Sequence, residues 1–597
     1  MIIDIGKNGE WKQINDGDIF GTLSSSFNLD LDRKKGKVVG NRSKEVFNTG
    51  DDADFGLVTD IVVFDHDNDL INEYVVRAGG DGTVGGGIFF GDSNPSDTLT
   101  ENTDSGVPTV STIDRGSLEV FNNKLYATDS TNIKAFAKGA SSWTTVSSGG
   151  LSNSEHQTTV YANRLYIADD DNTILSLNTS ETLATLGNAN TLTLEDGYYI
   201  TCLISTDRAI YIGAFDERGG LGKVFEWDGE DANTVTTAHT LDTIGVLSGV
   251  VKNGVPYFLD VEGKLLALSG GQFVEVARLP FDKQRPLFDA ESVNSSTLAT
   301  RIRYIHPNGM ALVGGNINML VNTAHLDNAV NPNERCPSGI WEYTEENGLY
   351  HKNSVSYSDA GGTDISDYGQ FDLSMVGALS EAPAGNTDAD RNGTYLFGAK
   401  YYTNATSTTY GYFTNDTLGT TLSAFYFVTP ELRSEEIMEG WNNIYAIYKK
   451  MANSTDKIVL KYRTQPDDPQ YFTGTWSTDT AFTSTDNMSS VSVGDEVQIL
   501  RGEGAGISAH ITDLSEAGGT YTVTIDESIS GMSGTLKFKT QAWTKIDSIA
   551  EQVNNFKSMA VDSTSPSTQF KLFFLGKGDS PEFHRLISSS KVHTPVV

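Results

Sequence analysis

Four tyrosines recur along this chain at nearly constant spacing: Tyr126, Tyr166, Tyr211 and Tyr257, at intervals of 40, 45 and 46 residues. Each lies in a similar phrase: FNNKLYATD at 121–129, YANRLYIAD at 161–169, STDRAIYIG at 205–213 and KNGVPYFLD at 252–260. A turn containing Asn, Asp or Gly is followed by apolar residues and an aromatic, which reads as a hairpin. A second half follows each time, as in NIKAFAKGASSWTTV, KVFEWDGEDANTVTT, KLLALSGGQFVEVARL and GIWEYTEENGLYHKNS. In these, Phe136, Trp227 and Trp341 precede a polar or glycine turn and another apolar strand. Two hairpins in roughly 40–45 residues make one four-stranded propeller blade. A β-sandwich would use the same strands but does not predict that period.

Weaker copies occur in IHPNGMALVGG at 305–315 and RNGTYLFGAKYY at 391–402, and DIVVFDHDNDLINEYVVRAGG at 60–80 supplies an early blade. The expected fold is therefore all-β, a β-propeller of about seven blades. Its repeated aromatics are expected to pack blade against blade. Residues 1–50 read as an N-terminal arm and 51–473 as the propeller. Residues 474–547 read as an inserted small β-barrel-like module, because VGDEVQILRGEGAGISAHITDLS and GGTYTVTIDES are short strands with glycine turns. Residues 548–597, with an edge-like FKLFFLG, read as a return that closes the propeller. SEEIMEGWNNIYAIYKK at 434–450 reads as a short helix around Ile437 running into a strand.

Composition agrees. The 597 residues include 59 Gly and only 15 Pro, and 10% are aromatic, which suits many short strands joined by tight turns. A net charge of −35 disfavours general binding to phosphate backbones. Cys202 and Cys336 form no CxxC pair, so two buried, unpaired thiols are expected. Asp4 and Lys7 interrupt the start before any apolar leader core forms, and no window approaches the length of a membrane-spanning helix.

Motifs for chemistry are sparse. RGEGAGISAH places Gly502, Gly504 and Gly506 together, but strand-like residues follow and no GK[ST] occurs, so a β-turn is expected. DHDNDLINE gives Asp65, Asp67 and Asp69 the spacing of a calcium loop, with Glu73 beyond. Position six is Leu70 where a sharp turn wants Gly, and position twelve is Val76 where a bidentate Glu is wanted, so the EF-hand pattern fails. A looser calcium site on Asp65, Asp67 and Asp69 stands against a solvated acidic turn. Asp169, Asp170 and Asp171 pose the same choice. Arg218 and Lys223, in FDERGGLGK, are charged-loop residues that either stay solvated or line a channel. The nine histidines show no HExxH or related spacing, and no GxSxG elbow occurs. The expectation is no enzyme and no cofactor, with paired carboxylates in a cleft as the one route to glycoside cleavage.

Several stretches are similar to tail structural proteins of tailed bacteriophages. SSSFNLDLDRKKGKVVGNRSKEVF at 24–47 resembles an opening that precedes the propeller in such proteins. YYITCLISTDRAIYIGAFDERGGLGKVFEWDG resembles their propeller body, and DKIVLKYRT with VGDEVQILRGEGAGISAHI and TYTVTIDES resembles their inserted module. The resemblance implies a virion protein of the nozzle or tail-tip type, assembled in the host cytoplasm as a ring of six copies. Its implied partners are itself as a homohexamer, adaptor and tail-fibre proteins, and genomic DNA passing without sequence-specific binding. A receptor- or glycan-binding tail protein and a polysaccharide-degrading tail enzyme are the alternatives. The resemblance supplies no catalytic residues.

Overall fold

The computed structural model describes residues 55–280, 304–322, 336–353 and 373–592, with gaps in connecting segments such as 92–98 and 382–393, and short strands between residues 2 and 48. All of its regular elements are strands, and no helix occurs among the described residues. The segment after Ile437 is one strand, Met438–Tyr448. Residues 434–437, where a helix was expected to begin, lie outside the described residues.

Seven four-stranded antiparallel blades form the propeller. Blade 1 starts with Val58–Phe64 and Glu73–Ala78. Blades 2 to 7 start with Leu118–Phe121, Thr158–Tyr161, Tyr198–Ser205, Val246–Lys252, Ile305–Val313 and Leu373–Glu381. Each first strand neighbours the next, and Leu373–Glu381 meets Val58–Phe64, so the circle closes. The chain is therefore an all-β propeller.

Local sequence explains the repeat. The hairpins between first and second strands turn at Asn122–Asn123, Ala162–Asn163, Asn253–Gly254 and Gly314–Gly315, with positive φ at both positions. Paired left-handed residues match the twist of the flanking strands. The recurring tyrosines sit in second strands and reach into the blade seams. Tyr166 of blade 3 packs edge-on against Trp227 of blade 4, with centroids 5.4 Å apart, and its hydroxyl donates to the Gly229 carbonyl. Second strands then end in aspartates that hold the following turn: Asp129 accepts from the Asn132 N–H, Asp216 from Arg218 and Asp260 from Lys264.

Around the axis, polar side chains of the first strands bond to the next blade. Asp60 Oδ2 accepts from the Leu118 N–H at 2.8 Å, joining blades 1 and 2. Ser117 donates to the His156 carbonyl, and Thr159 bonds Ser205 at 3.0 Å. Thr201 donates to the Val246 carbonyl at 2.8 Å and Ser248 to the Pro307 carbonyl at 2.6 Å. Asn308 of blade 6 reaches past blade 7 to the Thr59 carbonyl of blade 1 at 3.1 Å. At the seam between blades 7 and 1, contact is by backbone: a methyl on Gly377 would collide with the Val58 carbonyl oxygen, and one on Gly398 with the Val58 side chain.

The propeller is closed differently from the sequence expectation. Its outermost strand in blade 7 is Ser43–Asn48, paired antiparallel with Thr408–Asn415. Residues 548–597 do not serve that purpose. Strands Ser567–Lys577 and Phe583–Val592 belong to a separate two-sheet body, which also takes up the region after residue 422 that had been assigned to the propeller. In one sheet, Ser567–Lys577 lies between Leu422–Val428 and Lys457–Arg463. FKLFFLG is thus central, not an edge. Phe570, Leu572 and Phe574 face the second sheet, whereas Phe573 and Leu575 face the inserted barrel. Burial on both faces removes the polar alternation that marks a one-sided strand.

The insert is a closed six-stranded barrel, from Gln470–Thr478 to Thr535–Gln541. It docks on the two-sheet body through buried charge. Glu496 of the barrel lies 2.6 Å from Lys461 and 2.9 Å from Lys571, both in the sheet beneath, with all three side chains buried. Burial opposes ionisation of Glu496, but the two ammonium groups overcome it and hold its carboxyl well below the usual range. Burial pushes Lys461 down to about 8. Lys571 also lies over the Tyr426 ring at 4.5 Å.

The N-terminal arm is not free to reach a neighbour along its paired parts. Ile2–Ile5 pairs with Phe583–Val592, Lys12–Gln13 joins the outer strand of blade 6, and Ser25–Phe27 pairs with Leu422–Val428. Tyr350 of blade 6 enters the core of the two-sheet body, which seats the propeller on it.

Two substitutions test these seams. Gly377→Ala is expected to destabilise by about 2–3 kcal/mol, because backbone must move to admit the methyl; thermal unfolding reads it, and an unchanged midpoint would contradict the close approach of blades 7 and 1. Glu496→Gln leaves two buried ammonium groups without their anion and is expected to cost about 3–5 kcal/mol. Limited proteolysis should then release the barrel first.

Candidate functional site

The acidic phrase read from the sequence does assemble. Asp65, Asp67, Asp69 and Glu73 sit in the turn between the first two strands of blade 1, and each offers an oxygen within 4.8 Å of the others. The turn curls through two left-handed residues, Asn68 at φ 66° and Leu70 at φ 73°. Position six therefore takes the conformation glycine favours, although it is leucine. Asp65 and Glu73 are buried, whereas Asp67 and Asp69 are exposed. The Glu73 carboxylate accepts from the His66 N–H at 2.9 Å and lies 2.9 Å from His66 Nδ1. Lys138 of blade 2 lies 3.2 Å from Asp65 Oδ2.

A second pair of carboxylates was not foreseen. Asp60 and Glu119 come from the first strands of blades 1 and 2, beside the axis. Burial raises Asp60 to about 6, against the pull of the Leu118 and Ile61 N–H groups and of Arg77. Burial, then the charge of Asp60, raises Glu119 to about 8. Glu119 keeps partial contact with solvent. A protonated carboxylic acid next to a second carboxyl is a proton donor at neutral pH. Its only trace in the sequence is a single acid inside each of two apolar runs, DIVVF and LEVF.

The other candidates disperse. Gly502, Gly504 and Gly506 all have positive φ, and the N–H groups of Ala505 and Ile507 bond to carbonyls of the turn and that of Gly506 to the Ile499 carbonyl of the preceding strand. That is a folded β-turn with its donors used. Asp169 is buried and accepts from the Ser152 N–H, while Asp170 and Asp171 lie outside the described residues. Arg218, in the turn after the second strand of blade 4, pairs with Asp216, and Lys223, at the start of the third strand, pairs with Glu195; both lie beside the Tyr198 ring. Cys202 and Cys336 are buried and unpaired, and burial pushes the Cys202 thiol up to about 12. Every Trp whose side chain is described is buried, and no Tyr whose side chain is described is fully exposed.

No family model matches the chain, and no curated protein matches it. Solved structures do. A computationally designed protein, Ika8, is 14% identical over 62% of this chain and 100% of its own, with a TM-score of 0.34. The C-terminal WD40 domain of Sif2 is 10% identical over 62% of this chain and 97% of its own, with a TM-score of 0.36. At those scores the likeness carries no argument about this molecule, and the seven-blade assignment rests on its own strand order.

Raised carboxyl groups make the centre sensitive to pH. Glu119 favours its protonated form in the folded state, so the folded state binds more protons than the unfolded one above the ordinary carboxyl range. This penalty is absent at low pH and grows as pH rises toward about 8. Glu119→Gln is accordingly expected to stabilise the protein by about 1–2 kcal/mol at pH 9, after allowance for solvent screening, and by much less at pH 5. Urea unfolding at the two pH values checks it, and an equal effect at both would contradict the raised carboxyl.

Proposed function

We propose that the chain is a non-catalytic structural protein of a tailed-phage virion, a nozzle or tail-tip subunit that builds a ring, with six copies as the expected number. Adaptor and tail-fibre proteins are its neighbours on this reading. The observation that carries it, beside the sequence resemblance, is the N-terminal arm. One arm is stitched into the two-sheet body, blade 6 and blade 7. The propeller and the two-sheet body are thereby held as one block, which suits a part that transmits load and needs no moving catalytic loop.

The proposal also fixes where DNA would run. Neighbouring first strands are bonded to one another, and Asn308 spans from blade 6 to blade 1 at the axis. A duplex is far too wide for such a centre, so on this reading DNA would pass between subunits. A net charge of −35 keeps protein and phosphate apart and favours passage without sequence-specific binding.

One observation favours a second reading. Asp60 and Glu119 form the acidic pair that glycoside cleavage would need. Against it, both Asp60 oxygens accept backbone N–H bonds, from Ile61 and Leu118. Receptor binding through exposed aromatics draws no support from the described surface.

Electron microscopy of purified particles tests the structural reading. A ring of six at the distal end of the tail is the expected result, and absence of the chain from particles would overturn it. Release of reducing ends from host polysaccharide, abolished by Glu119→Gln, would instead install the enzyme.

A further inference from the structure

We propose that Asp65, Asp67, Asp69 and Glu73 bind one calcium ion, in the turn between the first two strands of blade 1. This site does not depend on the virion reading. Four carboxylates in one nine-residue run each bring an oxygen within 4.8 Å of the others. Proximity alone is common on an acidic surface. What singles out this turn is Asp65, which is 2% exposed and whose Oδ1 has no hydrogen-bond partner. A buried carboxylate oxygen without a donor is costly, and a cation removes that cost.

The remaining bonds divide each carboxylate in the same way. One oxygen shapes the protein: Asp67 Oδ1 accepts from the Asp69 N–H at 3.1 Å, and Asp69 Oδ1 from the Ile71 N–H at 2.7 Å. Glu73 Oε2 accepts from the His66 N–H, and Asp65 Oδ2 faces Lys138. The second oxygen of each makes no hydrogen bond among the described residues. Each of the four clustered carboxylates thus keeps an oxygen available to a cation.

The chemistry selects calcium. All four donors are hard oxygens, and the turn is open where Asp67 and Asp69 are exposed, so water can complete six to eight ligands. Magnesium demands stricter octahedral geometry and gives up water reluctantly. Zinc prefers nitrogen and sulfur, and His66 Nδ1 already faces Glu73. Among the described residues Lys138 is the one lysine or arginine paired with these carboxylates, and it supplies a single charge against four. The bound ion would fasten blade 1 to blade 2, because the Gly139 N–H donates to the His66 carbonyl at 2.8 Å, beside Lys138.

The test uses the full chain after treatment with a chelator. Calorimetric titration with calcium chloride is run on the wild type and on the double variant Asp67→Asn, Asp69→Asn, with magnesium chloride as control. Both side chains are exposed, so the fold should survive, and an unchanged near-ultraviolet circular dichroism spectrum in chelator verifies that. The wild type is expected to bind with a Kd between about 10 μM and 1 mM, and to unfold at a higher temperature in calcium. The folded variant is expected to lose one equivalent, or to bind it at least tenfold more weakly. No binding by the wild type up to about 5 mM calcium would overturn the proposal. Identical stoichiometry and affinity in the variant would also overturn it, by showing that calcium binds elsewhere on the acidic surface.

Discussion

The close approach of the first strands around one axis governs this molecule. Sheets that meet there leave little room for apolar side chains, and backbone groups turned toward a neighbour need partners. The chain supplies them with short polar residues: Ser117, Thr159, Thr201 and Ser248 each bond into the next blade. Where blades 7 and 1 come closest, side chains give way to Gly377 and Gly398 against Val58. Farther out the spacing opens, and Tyr166, Trp227 and their counterparts fill it. Small polar residues inside and aromatics outside are thus two answers to one wedge-shaped gap.

The same economy of space accounts for the buried charge. Asp60 joins two blades, at the cost of a carboxyl that prefers to keep its proton. Glu496 joins the barrel to the two-sheet body and stays ionised, because two ammonium groups surround it. Burial makes the first acid harder to ionise, and pairing makes the second easier. The difference lies in what each neighbour offers: backbone donors and a partly offset arginine at the axis, and two lysines at the docking face.

The propeller was legible because its signal is local. A polar turn, a tyrosine in the next strand and an aspartate at its end repeat in blades 2 to 5, and they needed no long-range information. The two-sheet body was not legible. FKLFFLG is apolar on both faces, so nothing in it distinguishes a central strand from an edge. Nor was the closing strand, since SKEVFN gives no hint that it pairs near residue 412. For the site, the acidic spacing of DHDNDLINE was visible, yet Leu70 argued against the turn it makes; the backbone adopts φ 73° regardless, with the side chain almost wholly in solvent. Asp60 and Glu119 could not be paired by eye, because only the meeting of two blades brings them together.

The stitched arm also dictates an order of events during synthesis. Ile2 pairs with Ser589, and Ser43–Asn48 awaits strand Thr408–Asn415. Residues 2–5 and 43–48 thus leave the ribosome long before the strands they pair with. Blades 2 to 5 can form as they emerge, each from contiguous chain, but the ring must stay open until late. During that interval blade 7 lacks its outer strand and offers a bare edge to any passing chain.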